Sequence, residues 1–268
     1  ALNVLSMAYR AKLTAYAMTV QNFMPGSGLH SFSGELTADG AGFDFLSPRT
    51  RMDARVRVGN FHYSGYDLSN VSLQAEVKNG FGRALLDSRT PLLNGIIDLR
   101  TVLDNRRIDA NLLCNLLYAD FYKLGITEVP LTTSMTAHVD VQSDLASTHS
   151  AKGVIGNIVV RDSAAAYRPE NVVMDIFTRR DSTHANVTCG DFALRLDGSG
   201  SVEHILNRLS SIGVEAKKQR NERYIDHLRL RERLPELSVY LDAGKENIIS
   251  RTARHYGYEF QDAYINMN

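Results

Sequence analysis

The 268-residue chain has no tryptophan and only two cysteines, and its 30 lysines and arginines are cancelled by 30 aspartates and glutamates. The missing tryptophan weighs against a base-stacking platform and against the aromatic girdles of a membrane barrel. Zero formal charge argues against a nucleic-acid binder that works by neutralising phosphates. No apolar run approaches the ~20 residues that a spanning helix requires. Cys114 and Cys189 form no CxxC pair and have no metal-ligand spacing. Both sit at apolar-phase positions of strand-like stretches, so two buried free thiols is the favoured reading and an extracytoplasmic disulfide the alternative.

Catalytic patterns are missing as well. The eight histidines (30, 62, 138, 149, 184, 204, 227 and 255) include no HxH, HxxxH or HExxH arrangement that would aim two nitrogens at one metal. There is no GxSxG elbow, Walker loop or GxGxxG before a helix. Asp140, Asp144 and Asp162 are spaced acids of the kind that are normally solvated on the outer face of a sheet. Nothing places two carboxylates across a cleft, as a glycan hydrolase would need. No catalytic residue, metal site or cofactor is expected.

What the chain does have is alternation. Met52, Ala54, Val56 and Val58 fall on one face of a strand, with Asp53, Arg55 and Arg57 on the other. Val71, Leu73, Ala75 and Val77 repeat this against Ser72, Gln74, Glu76 and Lys78, and Met135, Ala137, Val139 and Val141 against Thr136, His138 and Asp140. Further strands are predicted at 32–38, 108–112, 153–161, 171–178, 184–189, 191–197 and 237–242. Turn chemistry such as Asp39-Gly40, Asn79-Gly80 and Asn94-Gly95 lies between strands. The spacing indicates an antiparallel meander, greasy on one side and wet on the other.

Helices interrupt the pattern. Leu2, Leu5, Tyr9, Leu13, Tyr16, Val20 and Phe23 follow steps of three and four, which predicts an amphipathic helix over 2–24 closed by Pro25-Gly26. A short helix is predicted at 115–125, a helical hairpin or bent helix at 201–234 ending at Pro235, and another short helix at 245–256. The chain therefore divides into an N-terminal helix (1–25), a repeating antiparallel sheet (26–200), a helical insertion (201–235) and a strand-helix-strand continuation of the sheet (236–268). Starting at Ala1 without an initiator methionine, it is expected to be an internal piece of something longer.

A one-sided sheet can pair with a second sheet, close into a barrel, or curl into an open trough. The inward positions include many small residues (Gly34, Ala38, Ala54, Ala75, Ala110, Ala137, Gly156 and Ala185), which suit a smooth apolar trough or, with bulky partners, a sandwich.

The stretch Tyr66-Asp-Leu-Ser-Asn-Val-Ser-Leu-Gln-Ala-Glu-Val-Lys-Asn-Gly80 resembles the strand-turn-strand unit of the AsmA-like superfamily, and Phe32–Gly40, Leu92–Leu99 and Phe192–Gly200 fit the same grammar. The run from Gly26 to Asn268 resembles part of the TamB-like translocation and assembly proteins. The pieces that carry this are Gly40–Thr50, Gly156–Arg161 and Thr178–Ala185. The resemblance implies an internal segment of a protein anchored in the inner membrane of a Gram-negative bacterium and spanning the periplasm. It also implies a mainly β fold, an open groove of curled antiparallel sheet with helical insertions. That groove would conduct phospholipid towards the outer membrane and support outer-membrane biogenesis. The partners implied are phospholipid acyl chains and outer-membrane assembly proteins. The candidate lining is Met52, Ala54, Val56, Val58, Val71, Leu73, Ala75, Val77, Met135, Ala137, Val139 and Val141. The competing expectation is a closed β scaffold that assists outer-membrane protein assembly by strand addition, without conducting lipid.

Overall fold

The computed structural model describes residues 8–19, 29–63, 66–163, 166–245, 247, 250–251, 254 and 263–267. They fall into two compact units, Ala1–Gln142 with Val154–Pro169, and Ser143–Gly153 with Glu170–Asn268. The fold is mainly β, an open antiparallel sheet not closed into a barrel, with helices near residues 202–233.

The strands that lie wholly or mainly in the first unit are β1 (Ala8–Met18), β2 (Leu29–Ala41), β3 (Arg51–Tyr63), β4 (Tyr66–Asp67), β5 (Val71–Lys78), β6 (Phe81–Arg89), β7 (Leu93–Asp104), β8 (Arg107–Asp120), β9 (Thr132–Ser143), β10 (His149–Arg161, of which 154–161 belong to this unit) and β11 (Ala166–Tyr167). They lie in the order β1-β2-β3-β5-β6-β7-β8-β9-β10, with the short β4 and β11 paired to the sides of β3 and β10. Among the described residues no second sheet packs on this one. Turn chemistry sets the hairpins. Asn79 and Gly80 both adopt positive φ (53° and 76°) between β5 and β6, the left-handed pair that a tight two-residue turn needs.

Two expected helices are strands. Residues 8–18 of the predicted N-terminal helix form β1, which ladders with β2 from Ala8↔Ala41 to Ala15↔Gly34. The reason is an ambiguity of period. Tyr9 and Leu13 are four apart, a step that suits one face of a helix and one face of a strand equally. Available edge hydrogen bonds on β2 decide the matter. The rest of that prediction (2–7 and 20–24) lies outside the described residues. Likewise β8 continues as a strand through Asn115–Asp120, pairing Tyr118 with Asn94 and Ala119 with Leu93. Only a single turn follows, with the Leu124 and Ile126 amides donating to Asp120 O and Phe121 O, and Gly125 at φ 73° ends it.

The second unit holds β12 (Val172–Arg179), β13 (Ser182–Cys189), β14 (Phe192–Ser199), β15 (Leu237–Ala243) and β16 (Ala263–Met267), paired in that order. Cys189, Phe192 and Ala243 form its buried core, with Val172, Val187, Leu194 and Leu241 packed around them. Between β14 and β15 come α1 (Val202–Glu222) and α2 (His227–Arg233), where the sequence predicts a helical hairpin. Ser201 caps α1 by accepting from the His204 amide, and Asp226 caps α2 by accepting from Leu228 and Arg229. At its start α1 rests on the sheet. Ile205 is 3% exposed, and a Cβ on Gly198 would come within 2.7 Å of its Cδ1. Of the helix predicted at 245–256, residues 250, 251 and 254 are helical.

Candidate functional site

The ladder registers of the first unit bring the candidate residues of β3 and β5 together as direct cross-strand neighbours, Met52↔Val77, Ala54↔Ala75, Val56↔Leu73 and Val58↔Val71. The same registers extend these pairs into rows across seven strands. One row runs Leu13, Leu36, Val56, Leu73, Leu86, Ile97, Cys114. The next runs Ala11, Ala38, Ala54, Ala75, Ala84, Leu99, Leu112. Neither contains a charged residue, and opposed pairs on one face of a sheet touch directly. Six inter-strand steps of ~4.8 Å make each row roughly 29 Å long.

The candidates of β9 belong to the same face. Asn111 lies on the opposite face, beside Arg100 in the ladder, and its side chain donates to Asp140 Oδ1 at 2.7 Å and meets His138 Nε2 at 2.7 Å. His138 and Asp140 therefore share the polar face, and strand alternation turns Met135, Ala137, Val139 and Val141 to the apolar one.

Burial on this face is incomplete. Val77 is buried, but Leu73 is 37% and Leu13 63% exposed, and the remaining candidates lie between buried and exposed apart from Val141, which is exposed. A closed core would hold such residues below about a tenth. The face is apolar, continuous and accessible. Cys114 and Cys189 are both free thiols. Burial among the row's aliphatic side chains pushes the Cys114 thiol up from its ordinary value, so it stays protonated and behaves as a small apolar residue.

The residues that complete the rows on β6 and β7 are not candidates from sequence, because both phases of those strands are apolar. Leu85 and Leu86, and Ile96 and Ile97, are adjacent pairs, and only the register with β5 assigns each to a face.

The opposite face is correspondingly less wet than its sequence reading. It carries cross-strand ion pairs, Arg10–Asp39 at 2.8 Å, Lys12–Glu35 at 3.3 Å and Arg83–Asp98 at 2.9 Å. It also carries exposed Phe81, Ile96, Val102 and Leu113. A concavity of about 440 Å³ opens on this side, between Phe81, Val102, Arg83, Arg100 and Asn111.

Asp98 organises the polar face. Its carboxylate is 11% exposed and accepts two hydrogen bonds from Arg83 (3.0 and 2.9 Å) and two from Arg100 (3.2 and 2.9 Å). The Arg83 bonds first, opposed by burial and reinforced by Arg100, hold its titration below the usual carboxylate range. Its folded pKa thus lies below the unfolded one, so its contribution is present above about pH 4 and is lost as pH falls through the folded value. Asp98→Asn is expected to cost about 1 kcal/mol at neutral pH, with the half-exposed arginines discounted for solvent screening. It should also flatten the acid limb of the stability curve. Urea unfolding midpoints of both proteins between neutral pH and pH 3 test this, and parallel acid limbs would refute it.

Of the spaced acids, Asp140 accepts from Asn111 and Asp144 has a local duty. Asp144 accepts the amides of Ala146, Ser147 and Thr148 at 2.8–2.9 Å, shaping its own loop, and these bonds hold its carboxyl far below the ordinary range. Among the described residues no group of three or more His, Cys, Asp or Glu side chains is arranged to hold a metal ion. No helix among them is long and apolar enough to cross a membrane. No family model matches the chain, and neither the curated proteins nor the solved structures provide a match.

Proposed function

We propose that this chain is a segment of a periplasm-spanning protein that conducts phospholipid towards the outer membrane, with acyl chains lying along the apolar face of β1–β9. The observation that carries the reading is the pair of unbroken apolar rows across seven strands, left accessible by the absence of a second sheet among the described residues. An acyl chain exposed to water loses about 0.8 kcal/mol per methylene relative to an apolar surface. A continuous lining therefore lowers the barrier to movement without any specific polar contact. The rows, roughly 29 Å long, are about twice the ~15 Å depth of one leaflet's hydrocarbon. A chain can thus lie wholly on the face and advance by small steps. Such work needs no catalytic residue. The likeness of Tyr66–Gly80 to AsmA-like repeats supports the periplasmic setting and an inner-membrane anchor.

The test is a photo-crosslinking residue at Val56 in cells, with Arg57 as the outward control. Capture of phospholipid at Val56 and not at Arg57 is the expected result. Silence at Val56, Ala75 and Val139 together would overturn the conduit and leave a protein scaffold.

A further inference from the structure

We propose that the turn between α1 and α2 is a docking surface for the anionic face of a phospholipid bilayer. The inference is independent of the acyl-chain track, because it rests on different residues in the second unit.

The hairpin is held by bonds that leave its tip projecting. Arg208 Nη2 donates to the carbonyls of Glu232 and Leu234 at 2.8 and 2.9 Å, and Arg233 pairs with Glu215 at 3.3 Å. Nearer the tip, the Asp226 amide donates to Gln219 Oε1 at 2.8 Å. α2 therefore runs back along α1, and the chain reverses at Arg223, which adopts φ 53°. At that reversal three large apolar side chains face solvent, Tyr224 (66% exposed), Ile225 (60%) and Leu228 (72%). A folded domain gains nothing by presenting three such groups at a turn, where polar residues are the norm.

Cations surround them. Among the described residues Lys217, Arg220, Arg223 and Arg231 have no ion-pair partner, whereas Glu215 and Asp226 are engaged with Arg233 and Arg229, and the exposed Glu232 offsets only one of the four cations. Lys217 and Arg220 also continue, at helical spacing, the exposed stripe of Leu206 and Leu209 on α1. Unpaired cations select an anionic partner, and exposed aliphatic and phenolic groups select one that is apolar just beneath its charge. The headgroup boundary of an anionic bilayer offers both at the same depth, with the long cationic stems reaching outward from the apolar tip. An acidic protein surface would satisfy the charges and leave the tip unburied.

Flotation of the purified chain with vesicles tests this, using phosphatidylcholine alone and phosphatidylcholine mixed with phosphatidylglycerol. The chain should float with the anionic vesicles only, and less as salt rises. Each neutralised cation should lower partitioning about five-fold, so Arg220→Gln with Arg223→Gln lowers it about 25-fold. Ile225→Ser with Leu228→Ser should weaken it too, and both pairs are exposed enough to leave the circular dichroism spectrum unchanged. An Arg57→Gln variant, which neutralises an exposed cation of the first unit away from the hairpin, should float like the parent. Equal flotation with both vesicle types, none with either, or a loss in Arg57→Gln as large as in the Arg220 and Arg223 pair would each overturn the proposal.

Discussion

Leu73→Asp will reduce phospholipid capture at Val56 roughly fifty-fold while the sheet stays folded. Leu73 sits at the centre of the leucine-rich row, directly opposite Val56 on one side and Leu86 on the other. A hydrated carboxylate there forces about three methylenes of a passing chain off apolar surface, at ~0.8 kcal/mol each. The sum, about 2.4 kcal/mol, is a factor of roughly fifty. The protein itself is spared most of that cost because Leu73 is already 37% exposed, so a stability loss of only about 1 kcal/mol is expected. Gln74→Asp, one residue along and on the other face, should leave capture unchanged. The measurement is crosslinked lipid recovered at position 56 in each variant, alongside the thermal midpoint. Undiminished capture in Leu73→Asp with lost capture in Gln74→Asp would put the lipid on the opposite face.

Gly95→Ala should destabilise the first unit by about 3 kcal/mol. Gly95 opposes Leu116 where the β7–β8 register shifts. A Cβ there would come within 2.4 Å of the Asn115 carbonyl oxygen and 2.9 Å of the Leu116 Cα, both backbone atoms that cannot rotate away. Relief requires the two strands to part, which removes ladder bonds from the middle of the sheet. Gly59 offers the control, since its nearest neighbour would be Ser33 O at 3.8 Å, and Gly59→Ala should be close to neutral. Denaturant midpoints of the two variants against the parent decide the point. Equal midpoints for Gly95→Ala and Gly59→Ala would show that the close approach at β7–β8 relaxes freely.

Legibility in the sequence tracked how strictly each strand alternates. Over 52–58 of β3, 71–77 of β5 and 135–141 of β9 every second residue is apolar and its neighbours are charged or polar, so faces and candidate lining could be assigned from the sequence. The ladder then placed eight of those candidates opposite one another. In β6 and β7 the doubled residues Leu85-Leu86 and Ile96-Ile97 erase the phase, and Leu86 and Ile97 could be found only through their neighbours' hydrogen bonds, whereas Leu112 keeps the phase of Ala110. Tyr9 and Leu13 read as helix because a four-residue step satisfies two periods, and no local feature reveals that β2 waits to pair with them. The helical insertion was legible because its signal is local, a stripe of Val202, Ile205, Leu206, Leu209 and Ile212 at helical spacing.

Among the described residues, each of the main strands from β1 to β8 ladders with its nearest neighbours along the chain and with no other main strand. Such an array is quasi-one-dimensional, and its stability accumulates from hairpin to hairpin rather than from one shared centre. Contacts close over short stretches of sequence, so assembly can proceed outward from any hairpin that forms first. A duplicated hairpin inserted at any turn would lengthen the apolar rows by two strand spacings, roughly 10 Å, without disturbing a residue elsewhere. Reach is then a property that evolution can adjust by copying, as a ladder gains rungs.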